Sequence, residues 1–168
     1  RMLRSLSVTP PKFLAALKKP GPAVVAEFKR ASPSEGVIFS NGNAEQIAAG
    51  YASGGAAALS VLTERQFFGG SEEDLKKAKK ASKLPVLRKD FIFDQYQIVE
   101  AKSWGADAVL LIAAMLADAK LSLLLQACRK WALEAVVEVH NKSELERALA
   151  FGADIVGAER SLAGRPPG

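Results

Sequence analysis

Four charged side chains stand in apolar surroundings that do not ask for charge. Glu27 and Lys29 are two apart in the run Ala23-Val24-Val25-Ala26-Glu27-Phe28-Lys29. In an extended strand that spacing puts both on one face. Lys89 follows the run Pro85-Val86-Leu87-Arg88, and Glu138 lies near the end of Ala135 to Val139. Buried charge is costly unless it is paired or used. Ammonium and carboxylate groups gathered in one place can serve as general acid and general base. Taken singly, each has a plainer reading: Glu27 and Lys29 as a solvated strand face, Lys89 and Asp90 as a surface pair, Glu138 as a strand-edge charge.

The elements that would position these groups alternate along the chain. Further extended runs cover Ala57 to Leu62, Ala108 to Ile112 and Asp154 to Val156. Helical patterns fall between the runs, over 44–53, 71–82, 94–104, 118–131 and 142–151. Ser71 precedes Glu72, Glu73 and Asp74, a capping hydroxyl followed by carboxylates that favour the helix dipole. Asn141 and Glu144 have capping-box spacing. A short repeat precedes three of the strands: Gly54-Gly55-Ala56-Ala57, Gly105-Ala106-Asp107-Ala108 and Gly152-Ala153-Asp154-Ile155. Glycine there ends a helix in a left-handed cap and lets the chain turn into the strand. The unit recurs about five and a half times, which implies parallel strands with helical crossovers.

An open doubly wound sheet and a (β/α)8 barrel both fit this alternation. Charges at the ends of three strands favour the barrel, because the C-terminal strand ends of a barrel converge on one mouth. No Gly-rich dinucleotide fingerprint follows the first strand. The fold class is therefore α/β of the TIM-barrel kind, in a single domain. Residues 1–22 read as a helical lead-in, 23–157 as barrel units and 158–168 as an irregular tail.

Composition narrows the function. The net charge of +5 suits an anionic ligand. The basic residues are dispersed, apart from a cluster from Lys76 to Lys83 that reads as a solvated helix face, and no basic stripe with interleaved aromatics points to nucleic acid. No apolar run reaches the ~18 residues of a membrane span, and the opening Arg1-Met2-Leu3-Arg4 does not read as a secretory signal. The single cysteine, Cys128, excludes an internal disulfide framework and reads as packing. The expected location is the cytoplasm, or the plastid stroma for a plant protein. His140 reads as a loop residue without the partners a metal site needs, and Trp104 and Trp131 as core anchors.

The segment Ala26-Glu27-Phe28-Lys29-Arg30-Ala31-Ser32-Pro33-Ser34-Glu35-Gly36 resembles the first-strand signature of the indole-3-glycerol phosphate synthase family. The resemblance continues in order through Ser60-Val61-Leu62-Thr63-Glu64, Phe67-Phe68-Gly69-Gly70-Ser71, Pro85-Val86-Leu87-Arg88-Lys89-Asp90-Phe91, Ala106 to Ile112 and Val137-Glu138-Val139-His140. It implies a ring-closing lyase of tryptophan biosynthesis. The implied substrate is an anionic phosphosugar, 1-(2-carboxyphenylamino)-1-deoxyribulose 5-phosphate, which cyclises, decarboxylates and dehydrates. By the same resemblance Lys89 is the general acid, Glu138 the general base of dehydration, and Glu27 the carboxylate that positions Lys89 and substrate. Lys29 contacts the phosphate, Ser32 and Phe68 lie around the anthranilate end, and Phe91 and Leu110 form apolar walls. No metal or organic cofactor is implied.

The resemblance weakens at both ends. The family carries about a helix and a half more before Arg1, and an Asn-bearing loop and two further units after Gly157. Here Ala158-Glu159-Arg160-Ser161-Leu162 and the residues to Gly168 follow instead. A barrel of this kind needs roughly 200 residues or more. About six strand–helix units should leave it incomplete, with an edge open to self-association. Two other functions fit less of the sequence. One is a non-catalytic fragment that acts only as an association partner. The other is a different phosphosugar barrel enzyme, such as a relative of phosphoribosylanthranilate isomerase, which relies on a Cys/Asp pair not found here.

Overall fold

The computed structural model describes residues 12–18, 20–39 and 42–158. After a short helix α1 (Phe13–Leu17), strand β1 (Val25–Phe28) leads into a small hairpin, β2 (Ala31–Ser32) and β3 (Gly36–Val37). Five strand–helix alternations follow: α2 (Ala44–Ser53), β4 (Ala58–Leu62), α3 (Glu72–Ser82), β5 (Val86–Lys89), α4 (Gln95–Trp104), β6 (Ala108–Ile112), α5 (Asp118–Lys130), β7 (Glu134–Val139), α6 (Lys142–Ala150) and β8 (Ile155–Ala158). The main sheet has six parallel strands in the order β1-β4-β5-β6-β7-β8, so each neighbour in space is also the next sheet strand along the chain. The described residues thus form a curled, incomplete barrel with β1 and β8 at its edges.

The helices begin where local chemistry starts them. Ser71 accepts the Asp74 N–H at 3.1 Å, and Asn141 accepts the Glu144 N–H at 2.9 Å. Asp94 and Gln97 form a reciprocal capping box at the start of α4. Gly55, Gly105 and Gly152, one glycine from each copy of the sequence repeat, take positive φ.

Strand parity divides the core. The helix-facing positions, among them Phe28, Leu59, Val61, Val86, Val109, Leu111 and Val137, pack against α2 to α6 in one large cluster. The alternate positions Ala58, Leu87, Ala108, Leu110 and Ile155 turn inward and pack around Phe13, which is 1% exposed. Helix α1 thereby plugs the N-terminal end of the barrel. Its first amides have no partner within so short a helix. The Glu134 carboxylate on β7 accepts them, from Phe13 N–H at 2.6 Å and Leu14 N–H at 3.0 Å.

The structure differs from the sequence reading in several places. The hairpin β2–β3 falls where the sequence pattern names no element, because two-residue ladders are too short to show a period. The lysine cluster is not one solvated face. Lys79 pairs with Asp107, and Lys83 is the left-handed cap at φ 58° rather than part of α3. Only α1 and the residues leading to β1 represent the lead-in over 1–22. The tail over 158–168 lies, Ala158 apart, outside the described residues.

Candidate functional site

The C-terminal strand ends surround a cavity of about 460 Å³. All eight residues singled out in the sequence line it: Glu27, Lys29, Ser32, Phe68, Lys89, Phe91, Leu110 and Glu138. They come from β1, the hairpin, the loop after β4, the end of β5, the loop after it, β6 and β7. The register explains the meeting. Glu27 lies in row with Ser60 and Leu87, while Lys89 lies in row with Leu62, one inward position nearer the mouth. The lysine side chain reaches back across β4, and its Nζ donates to Glu27 Oε2 at 2.9 Å. Ser60 Oγ donates to the same carboxylate oxygen at 3.4 Å. Glu138, in register with Ile112, faces the cavity from β7, two strands beyond Lys89.

The hairpin forms one wall. Lys29 Nζ donates to Glu35 Oε2 at 3.0 Å. Ser32 Oγ donates to that oxygen at 3.2 Å and accepts the Glu35 N–H at 3.1 Å. The Lys29 ammonium, and less strongly Ser32, hold the Glu35 carboxyl below its ordinary range. The two phenylalanines form another wall, with ring centroids 6.4 Å apart and planes tilted by 53°. Leu110, buried on β6, lines the cavity with them.

Sequence reasoning quoted Glu64 only as part of a motif, yet it shapes the aromatic wall. Its carboxylate accepts the N–H groups of Gln66, Phe67 and Phe68 at 2.8, 2.7 and 3.2 Å. A glutamate just ahead of an aromatic pair and two glycines was the available signal. Gly70 closes this loop by donating its N–H to Glu64 O at 2.7 Å. A Cβ at that position would sit 2.3 Å from the Leu62 carbonyl oxygen. Only glycine lets the chain pass so close to β4.

The surface-pair reading of Lys89 with Asp90 is corrected by the geometry. Asp90 pairs with Arg88 at 2.9 Å, and Lys89 with Glu27. His140, just past β7, has Nε2 3.5 Å from Glu138 Oε1 and Nδ1 3.4 Å from Glu144 Oε2. Trp104 lies 4.0 Å beneath the Arg88 guanidinium. Cys128 is buried in α5, where desolvation pushes its thiol up to about 12. Among the described residues no group of three His, Cys, Asp or Glu side chains is arranged to hold a metal ion, and no helix is long and apolar enough to cross a membrane.

Comparison with known proteins adds an independent line. Residues 3–163 match the family "Indole-3-glycerol phosphate synthase". The chain is 51% identical over 145 residues to indole-3-glycerol phosphate synthase 2 of Streptomyces coelicolor, covering 86% of this chain and 56% of that protein. It is 48% identical over 159 residues to indole-3-glycerol phosphate synthase of Campylobacter jejuni subsp. doylei, covering 94% of this chain and 62% of that protein. The chain thus spans a little over half the length of these relatives. Among solved structures, 3-hexulose-6-phosphate synthase superposes with a TM-score of 0.57 at 18% identity, over 73% of this chain and 63% of that one. The carboxyl transferase domain of Rhizobium etli pyruvate carboxylase with 3-bromopyruvate gives 0.63 at 16% identity, over 87% and 28%. At such identities these structures speak to the fold alone.

Proposed function

The chain belongs to the indole-3-glycerol phosphate synthase family, and from that premise we propose that its mouth carries the ring closure of 1-(2-carboxyphenylamino)-1-deoxyribulose 5-phosphate. The ring carbon attacks the ketone, carbon dioxide leaves, and loss of water completes the indole. Lys89 donates a proton to the ketone oxygen as the carbon–carbon bond forms. Glu27 holds the Lys89 ammonium in place and limits its swing. Glu138, on β7, takes the proton lost during dehydration, while the leaving hydroxyl is protonated and departs as water. Lys29 meets the substrate phosphate by exchanging one anion, the Glu35 carboxylate, for another. Ser32, Phe68, Phe91 and Leu110 enclose the anthranilate ring. The cavity falls in the ~300–1,000 Å³ range usual for small-ligand sites.

The observation that carries this reading is the 2.9 Å contact between Lys89 and Glu27 inside a cavity that Glu138 also lines. An acid held by a carboxylate, with a separate carboxylate lining the same pocket, meets the needs of a reaction that protonates the ketone oxygen at ring closure and, in dehydration, removes one proton while the leaving hydroxyl gains another. Fluorescence detection of indoleglycerol phosphate tests it. Glu138→Gln should slow dehydration most and let a ring-closed intermediate accumulate. Unchanged turnover in that variant would remove Glu138 from the mechanism.

The sheet edges support a second element of the proposal. Strand β1 is an edge; Val24, just before it, and Val25, its first residue, are 59% and 37% exposed. Unpaired strand groups seek partners, so the 168-residue chain should self-associate through its open edge. Sedimentation that shows only monomer at high micromolar concentration would oppose this. The cytoplasm, the compartment expected from a single cysteine, is kept as part of the proposal.

A further inference from the structure

On the helix-facing side of the sheet, the strand ends around the site are apolar except at one place. Arg88 is in register with Val61 on β4 and Val109 on β6, both 0% exposed, yet it is itself charged and only 3% exposed. Its guanidinium lies over Trp104 and reaches Glu100 Oε2 at 3.0 Å and the Gln97 carbonyl at 3.0 Å. The remaining donors converge on Asp90, with Nη2 at 2.9 Å and Nε at 3.2 Å from Oδ2. The same oxygen accepts the Thr63 hydroxyl at 2.6 Å, and Oδ1 accepts the Phe91 N–H at 2.8 Å. Thr63 Oγ1 in turn accepts from Arg88 Nε at 3.2 Å, and Thr63 N–H donates to the Lys89 carbonyl at 3.0 Å.

These bonds enclose a single residue. Arg88 and Asp90 flank Lys89 in sequence; the Arg88 side chain lies on the helix side of the sheet, and Asp90, at the cavity margin, grips it from there. Thr63 ties both that pair and the Lys89 backbone to the end of β4. A buried ion pair of this kind is a poor way to gain stability, since apolar replacements of similar volume are often neutral or better. What it offers is geometry: the backbone at Lys89 is fixed on three sides, which leaves only the side-chain torsions to set the ammonium against Glu27. We propose that the Thr63–Arg88–Asp90 clamp positions Lys89, with Thr63 and Asp90 as positioning residues for the proton donor. The inference rests on the reading of Lys89 as the acid of the site. Displacements of about 1 Å at a reacting group can cost 10²-fold in rate, so such a clamp bears directly on turnover.

The test reads Lys89 itself. Lysine labelled with ¹³C at Cε, in the full chain, reports whether the two Hε protons are inequivalent, as they are when a side chain is held in one setting. Lys89→Met assigns the signal. Thr63→Val, which keeps shape and removes the hydroxyl, should collapse the Lys89 inequivalence, and Thr63→Ser should restore it. If the valine variant fails to fold, Asp90→Asn provides the same comparison. A Thr63→Val or Asp90→Asn protein with a lowered melting temperature but unchanged Lys89 signals would overturn the clamp and leave it a stabilising cluster only. Turnover plays no part in this readout. Failure of the proposed activity would show instead as normal turnover in Lys89→Met.

Discussion

The two ends of the barrel's inner face are built from the same strands and behave differently. Near the N-terminal end the inward positions are Val25, Ala58, Leu87 and Val136; Ala58, Leu87 and Val136 pack with Phe13, and a cavity of about 380 Å³ separates this cluster from the mouth. Two residues further along, the same strands present Glu27, Ser60, Lys89 and Glu138 to an open cavity. The change from apolar to polar takes one inward step on each strand. A sheet can therefore hold an apolar plug and a charged mouth within about 7 Å of each other, since two residues of strand span no more than that. Substitutions at the two ends should separate chemistry from stability.

The largest effect expected is on chemistry. Lys89→Met should lower turnover in the fluorescence assay by about 10²–10⁴-fold, the usual contribution of a general acid. Its ion pair with Glu27 is about one-third exposed on both sides. The melting temperature should therefore barely move, because such pairs contribute about 1 kcal/mol or less. A collapse of stability with turnover per folded molecule preserved would reverse the roles assigned to the two ends.

At the plugged end the expectation is the opposite. Phe13→Ala should cost about 3–5 kcal/mol in denaturant unfolding, the range for a fully buried aromatic. A loss below 1 kcal/mol would mean that α1 is dispensable to the core. Glu134→Ala should cost less, about 1–3 kcal/mol, because it strips two amides at the start of α1 of a charged acceptor. If the two variants are additive, the carboxylate and the phenylalanine act independently; coupling is expected, since both hold the same helix.

The smallest effect concerns Cys128, which lies on α5 and lines a cavity with Leu14 and Glu134. Its thiol, pushed up to about 12 by burial, stays protonated at pH 8. Native protein should resist iodoacetamide there and react only when unfolded, which mass spectrometry reads directly. The sign of the pH dependence follows. The unfolded thiol ionises near its ordinary pKa of about 8.5. The folded form keeps its proton to higher pH, so Cys128 withdraws stability as pH rises above that value.

Much of this was legible in the sequence. The strand over Ala108 to Ile112 and the helix over 44–53 appear with those bounds, because periodicity and caps are local signals. The eight residues singled out through ordered motifs all line one cavity. Other features were not legible. The bond between Phe13 and Glu134 joins residues 121 apart, and no local pattern announces it. Arg88 looked like one more basic residue beside a catalytic candidate. Only the fold shows it turned to the helix side, stacked on Trp104. The same holds for Glu64, whose task is set by the path of the loop it caps.

The sequential strand order has a consequence for how the chain acquires its shape. Each sheet strand pairs with the next to emerge during synthesis, so the sheet can grow by addition at one edge without waiting for distant partners. The exception is α1. It precedes every described strand of the sheet, yet its acceptor Glu134, 121 residues beyond Phe13, and part of its apolar seat, Ile155, emerge only later. Until then the inner face lies bare, and α1 is a tethered stopper in search of its bottle. Pulsed hydrogen exchange during refolding should find the Phe13 and Leu14 amides protected after those of β4 to β6, since closure of the longest loop comes last.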